Sequence, residues 1–91
     1  MGRAKRHKPK RLAEKLLTIR LRLGLSQNEL IRRLNLPEMI MQGSVSGYEL
    51  GTRLPPLPVL LEYAKVAGVC TDVLIDDSKE LPHKLPSVAK H

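Results

Sequence analysis

The 91-residue sequence has almost no aromatic side chains, since it contains Tyr48 and Tyr63 but neither Phe nor Trp. Proteins that bind single-stranded nucleic acid stack bases on aromatic side chains, so this shortage argues against that class of function. Apolar residues still make up 42% of the chain, and most are Leu, Ile, Val or Ala. A chain this short holds one hydrophobic core, and we expect compact helices with aliphatic side chains to fill it.

Cysteine is also scarce, because Cys70 is alone and cannot form an internal disulfide. We expect Cys70 to be a small buried side chain in a protein of the reducing cytoplasm. His7, His83 and His91 lie towards the two ends of the chain with no second ligand at metal-binding spacing, so no metal or cofactor is predicted. No apolar run reaches the ~18 residues of a membrane span, and the basic start lacks the apolar stretch of a signal peptide.

Catalytic combinations are missing too. An enzyme needs a nucleophile with its base, paired acids in a cleft or a metal site, and none of these is visible in the sequence. We therefore expect a binding protein without catalytic activity.

The formal net charge of +7 is concentrated at the N-terminus. Residues 1–11 hold six basic side chains and no acidic one, residues 12–77 hold seven basic and eight acidic ones, and residues 78–91 hold three and one. The sequence thus predicts a disordered basic arm (1–11), a nearly neutral domain (12–77) and an irregular C-terminal tail (78–91). A flexible arm of this kind is typical of polyanion binding; the alternative is a solubilising tail.

Two helices are predicted in the first half of the domain. Leu12, Leu16, Ile19 and Leu23 recur at helical spacing over about 12 residues, and Gly24 is suited to end that helix. Ser26 and Glu29 then form the capping-box pattern that begins a second helix. This helix is predicted from Gln27 to about Leu34 with Asn35 as its left-handed end; its expected buried residues are Leu30, Ile31 and Leu34.

Three shorter helices are predicted after Pro37. The third runs from Ser44 to Leu50, and the Pro-rich connection after Gly51 leads to a fourth with Pro58 in its first turn. The expected core face of the fourth helix consists of Leu60, Leu61, Ala64 and Ala67. Thr71 and Asp72 are expected to cap a fifth helix that ends at Ile75.

Three segments in one collinear order carry a family resemblance: RLRLGLSQNEL (20–30), VSGYELGTRLP (45–55) and LLEYAKVAGV (60–69). Over residues 12–76 the chain resembles the phage repressor and Cro type (Xre-like) helix-turn-helix family. It departs from the family pattern in three places: Ile31 replaces the usual Ala, Asn35 replaces the usual turn Gly, and residues 37–44 are about four longer than the short form. We therefore align the third helix backwards from Val45.

The resemblance implies an all-α, compact five-helix domain with a lambda-repressor-like DNA-binding fold. It also implies a transcription regulator such as a repressor, often a symmetric homodimer, whose third helix enters the major groove of double-stranded DNA. An alternative is a protein-interaction module on the same fold, such as an antitoxin or a bridging factor. Exposure of Met39, Ile40 and Met41 would favour that alternative, whereas their burial would favour the regulator.

The same alignment assigns candidate site residues by their position in the family pattern. The base-contacting positions are Gln42, Gly43, Ser44 and Gly47. The phosphate-contacting positions are Gln27 and Asn28 at the start of the second helix, and Thr52 and Arg53 after the third. The arm contributes Arg3, Lys5, Arg6 and Lys8.

Three of these assignments have an alternative, which is capping or loop structure for Gln42 and Ser44 and a solvated loop cation for Arg53. Arg20 and Glu49 match a structural ion pair between the first and third helices, so they are assigned to folding.

A dimer contact is expected at the fifth helix and its flanks, where apolar side chains exceed what so short a helix buries alone; the alternative is core closure. These side chains are Val69, Val73, Leu74 and Ile75.

Overall fold

The computed structural model of the chain describes residues 9–36 and 42–86, and within these ranges the chain forms five helices and no strand. The helices are α1 (Leu12–Leu23), α2 (Gln27–Leu34), α3 (Gln42–Leu50), α4 (Leu57–Ala67) and α5 (Thr71–Ile75). The predicted all-helical class is therefore confirmed. None of these helices has the length and apolar character needed to cross a membrane.

Local signals account for most of the helix boundaries. Gly24 ends α1 with a φ of +71°, and Asn35 ends α2 with a φ of +58°. At the start of α2 the Glu29 N–H donates to Ser26 Oγ (3.1 Å) and the Ser26 N–H donates to Glu29 Oε1 (2.7 Å), so both halves of the capping box are present.

Two boundaries differ from the prediction. The third helix begins at Gln42, two residues before the predicted Ser44. At α5 the N-cap is Cys70, without a side-chain cap, so the prediction that Thr71 and Asp72 cap this helix is wrong. Cys70 is exposed, which also contradicts its predicted burial; at an N-cap its backbone is extended and its side chain lies outside the helix.

The core is aliphatic, as expected, with both tyrosines added to it. Its fully or almost fully buried members include Leu16 and Ile19 of α1, Leu30 of α2 and Val45 of α3. Leu61, predicted for the core, is 46% exposed, because it lies beyond the edge of the buried face of α4, which consists of Val59, Leu60, Tyr63, Ala64 and Ala67. Ile31, also predicted to be buried, only packs against the edge of the core.

The segment that follows α5 lies along α1. Leu85 is 1% exposed within the core and Leu81 packs against it. At the far end of α1, Arg22 Nη1 donates to the Pro82 carbonyl oxygen (2.6 Å). Residues 76–85 are thus irregular, as expected, but they complete the core through Leu85.

Lys15 joins α1 to the end of α5. Its side chain is 2% exposed, and Nζ donates to the carbonyl oxygens of Val73 (2.8 Å) and Asp76 (2.9 Å). The last carbonyls of a helix lack partners within the helix and carry its negative dipole end. The lysine therefore satisfies the C-terminus of α5 while its methylenes fill core space.

The start of α1 is fixed by acidic residues from beyond α5. The Asp77 carboxylate accepts hydrogen bonds from the backbone N–H groups of Lys10 (2.9 Å to Oδ2) and Arg11 (3.0 Å to Oδ1). The Arg11 guanidinium donates to both Glu80 carboxylate oxygens at 2.8 Å, and this contact raises the pKa of Arg11 and lowers that of Glu80. Arg11, counted with the arm in the sequence, is therefore bound to the folded domain.

The apolar residues around α5 mostly close the core. Leu74 is fully buried and Val69 packs against the core, whereas Ile75 is 38% exposed. Two of the four residues behind the predicted dimer contact, Val69 and Leu74, are thus used within the monomer.

Candidate nucleic-acid interface

A partly buried ion pair joins α1 to α3. Arg20 Nε lies 2.6 Å from Glu49 Oε2 and Arg20 Nη2 lies 3.0 Å from Glu49 Oε1, with side-chain exposures of 16% and 6%. Arg20 Nη1 also donates to the Leu25 carbonyl oxygen (3.0 Å) in the turn before α2. Hydrogen bonding to Glu49 raises the pKa of Arg20. This is the pair that the sequence assigned to folding.

Gln27 extends the same network to α2. Its Nε2 donates to Glu49 Oε1 at 3.1 Å, so one carboxylate holds side chains from α1 and α2 against α3. Gln27 was predicted to contact a phosphate, but its side-chain amide donates to Glu49 instead. The backbone amides of Gln27 and Asn28 remain at the exposed start of α2.

Tyr63 of α4 lies under this network. Its hydroxyl is buried and has no hydrogen-bond partner in the described part of the chain. Burial, and then the nearby Glu49 carboxylate, raise the pKa of Tyr63. The phenol therefore stays neutral and contributes packing beneath the ion pair.

The N-terminal half of α3 is exposed at Gly43 and partly exposed at Ser44, while Val45 packs into the core. A Cβ added at Gly43 would lie in open space. Gly47 is buried instead: a Cβ there would come within 3.0 Å of Arg53 Cγ and Cδ and 3.2 Å of Thr52 Oγ1. Gly47 therefore offers no surface to a base in this arrangement. The expectation for the Gln42 side chain lies outside what the structure describes.

The turn after α3 folds back on that helix. The Gly47 carbonyl oxygen accepts from the Thr52 N–H (2.9 Å), the Arg53 N–H (3.2 Å) and Thr52 Oγ1 (3.3 Å), while Gly51 takes a φ of +82°. Thr52 was predicted to contact a phosphate, but its hydroxyl donates to the Gly47 carbonyl oxygen instead. Arg53 is exposed, and its Nη1 donates to Ser44 Oγ at 2.7 Å.

The start of α2 carries a carboxylate as well as the backbone amides of its first turn. Glu29 completes the capping box at this end, and the Ser26 hydrogen bonds lower the pKa of Glu29. A negative charge here opposes phosphate binding, whereas the helix dipole favours it. Asn28 is exposed and is the better placed of the two predicted side chains at this end.

An apolar groove of about 370 Å³ lies beside this face, between the start of α1 and the turn after α3. Its lining includes Pro9, Lys10, Leu12, Arg53 and Leu54. Arg3, Lys5, Arg6 and Lys8 of the arm lie outside the described residues, as do Met39, Ile40 and Met41. Pro9 and Lys10, the first described residues, therefore line the same groove as Arg53.

No metal site is formed by His, Cys, Asp and Glu side chains of residues 9–36 and 42–86. Comparison of the chain with protein-family models, with curated proteins and with solved structures finds no match.

Proposed function

We propose that the protein is a sequence-specific regulator of transcription that binds double-stranded DNA, with α2 and α3 as a helix-turn-helix of the lambda-repressor-like kind and α3 in the major groove. The observation that carries the proposal is the partly buried Arg20–Glu49–Gln27 network. It holds the C-terminal half of α3 against two other helices and so fixes the orientation of the helix start, where Gly43 is exposed and Ser44 is half-buried. A rigidly oriented, accessible helix start is what base readout requires.

The proposed contacts are divided by chemistry. Ser44 and Gly43, together with Gln42, face the base edges. Asn28 and the first amides of α2 contact phosphates, and the basic arm adds phosphate contacts next to the groove. On palindromic half-sites the protein acts as a homodimer, and the compartment we propose is the cytoplasm. No catalytic step is part of the proposal.

Selection of bound sites from a random duplex pool tests this function. An enriched palindromic consensus is expected, with the specific affinity well above that for random duplex. Arg33→Ala is a matched control, because Arg33 is an exposed arginine in the last turn of α2 and is not among the proposed contacts. It should leave the consensus unchanged. Absence of any enriched sequence would contradict the proposal.

A second candidate function is binding of a protein partner, and exposed leucines favour it. Leu50, the last residue of α3, and Leu57, the first of α4, are each 74% exposed, and Leu54 in the connection between them is 55% exposed. Clustered exposed apolar side chains mark interaction surfaces. Under this second function, Leu57→Asp would abolish partner binding and leave duplex binding unchanged, while the duplex selection would yield no consensus.

A further inference from the structure

The side chain of Arg53 lies across α3 rather than away from it. Its Cγ and Cδ cover Gly47, where an added Cβ would be only 3.0 Å from each of them. Its Nη1 reaches Ser44 Oγ, almost one helical turn earlier, at 2.7 Å. The guanidinium is therefore held over the N-terminal half of α3, although Arg53 itself belongs to the following turn.

Gly47 makes this arrangement possible. A larger side chain at position 47 would occupy the space of the Arg53 methylenes. The position lies on the same helical face as Ser44, three residues earlier, and under the proposed function that face meets the base edges. The absence of a side chain at Gly47 thus leaves room for one supplied from the turn.

The chemistry of the held guanidinium suits one base. Ser44 accepts one of its N–H groups, and the others have no partner within the described ranges. Guanine presents two acceptors, O6 and N7, to the major groove, and a planar guanidinium donates to both at once. A phosphate-binding arginine needs no such alignment with the helix face, because phosphate contacts lie along the strands that flank the groove.

We propose that Arg53, seated on Gly47 and aligned by Ser44, reads a guanine in the major groove in place of the side chain that position 47 lacks. This inference rests on the proposed duplex binding. It replaces the assignment of Arg53 to a phosphate, and it makes Ser44 a positioning residue for Arg53 as well as a surface residue of α3.

Arg53→Ala and a modified base test the inference together. On the selected site, Arg53→Ala should lower affinity roughly ten- to one-hundred-fold and remove one guanine from the consensus. Replacing that guanine by 7-deazaguanine, which keeps base pairing but lacks N7, should weaken the wild-type protein and leave Arg53→Ala unaffected. Arg33→Ala, the matched control, should weaken binding to both duplexes by the same factor.

Gly47→Ala provides a second route that does not remove the arginine. Alanine is the better helix former, and the flexible Arg53 side chain can move aside, so circular dichroism should show a folded protein. The guanine should disappear from the consensus, and Gly47→Ala should have no further effect on affinity in the Arg53→Ala background.

The outcomes separate this inference from the proposed function. If the wild type selects a consensus and Arg53→Ala selects the same one with all duplexes weakened equally, Arg53 is a phosphate contact and the inference is wrong, while duplex binding stands. If the wild type selects no consensus, both fail. If 7-deazaguanine weakens wild type and Arg53→Ala equally, the guanine is read by another residue.

Discussion

Individual residues in this domain have roles that depend on what surrounds them. Glu49 is 6% exposed and binds Arg20 and Gln27, so its charge is neutralised within the protein and adds little negative potential to the α3 face. Arg53, an exposed cation, is oriented by a hydroxyl and by the absence of a side chain at Gly47. The charge at the candidate interface is thus set by pairing rather than by composition.

Removal of the Tyr63 hydroxyl is predicted to stabilise the protein. The hydroxyl is buried without a partner in the described part of the chain, and a buried polar group without a hydrogen bond costs folding free energy. Tyr63→Phe should therefore raise the free energy of unfolding by about 1 kcal/mol. Urea unfolding measures this change, and a loss of stability would show that the hydroxyl has a partner.

Helices are the scale at which the sequence was most informative. Gly24, Asn35 and the capping box of Ser26 and Glu29 act on neighbouring residues, so they predicted the limits of α1 and α2. The start of α3 was predicted two residues late, because Gly43 was expected to keep the chain before Ser44 out of the helix. Leu61 was placed in the core because an apolar residue beside the buried stripe of α4 looks like part of it.

The capping box of α2 predicts an acid dependence. The Ser26 hydrogen bonds lower the pKa of Glu29 from its ordinary value of 4.5, so the ionised carboxylate stabilises the folded state. Its contribution to stability is complete above that value and is lost as the pH falls through the lower folded-state pKa. Glu29→Gln should show a weaker loss of unfolding free energy between about pH 5 and 3 than the wild type. Equal acid slopes would contradict this prediction.

The segment after α5 predicts a contrast between two leucines. Leu85 is 1% exposed and Leu57 is 74% exposed. Leu85→Ala should lower the free energy of unfolding by roughly 2 to 4 kcal/mol, because it leaves a cavity in the core. Leu57→Ala, the matched control, should change it by less than about 0.5 kcal/mol. Similar urea midpoints for the two variants would mean that residues 76–85 do not contribute to the core.

At the scale of the whole molecule, contacts between distant parts of the sequence assemble the site, and these were the hardest to predict. The Arg20–Glu49 pair was anticipated through the family resemblance. The carbonyl contacts of Lys15, the cap that Asp77 places on α1 and the bond from Arg53 to Ser44 were not. No periodicity or motif indicates these three contacts, since each depends on the conformation that a side chain adopts once the helices have packed.

The cap by Asp77 determines how the role of the arm should be tested. Asp77 and Glu80 hold Lys10 and Arg11, so a deletion intended to spare the fold must end at Lys8. Deletion of residues 1–8 removes four of the six arm cations, Arg3, Lys5, Arg6 and Lys8. The melting temperature should hardly change. Deletion of residues 1–11 is the contrasting variant, and it should be less stable because the contacts to Asp77 and Glu80 are lost.

Affinity for any duplex should fall on deletion of residues 1–8, because phosphate neutralisation supplies most non-specific binding. If about three of these cations contact phosphates in each subunit, the slope of log affinity against log salt should become shallower by roughly 2.7 per subunit, at about 0.9 per phosphate. Titration of one duplex over a salt series measures both quantities for the full chain and the shortened one. An unchanged affinity and slope would make the arm a solubilising tail, and binding would then rest on α2, α3 and Arg53 alone.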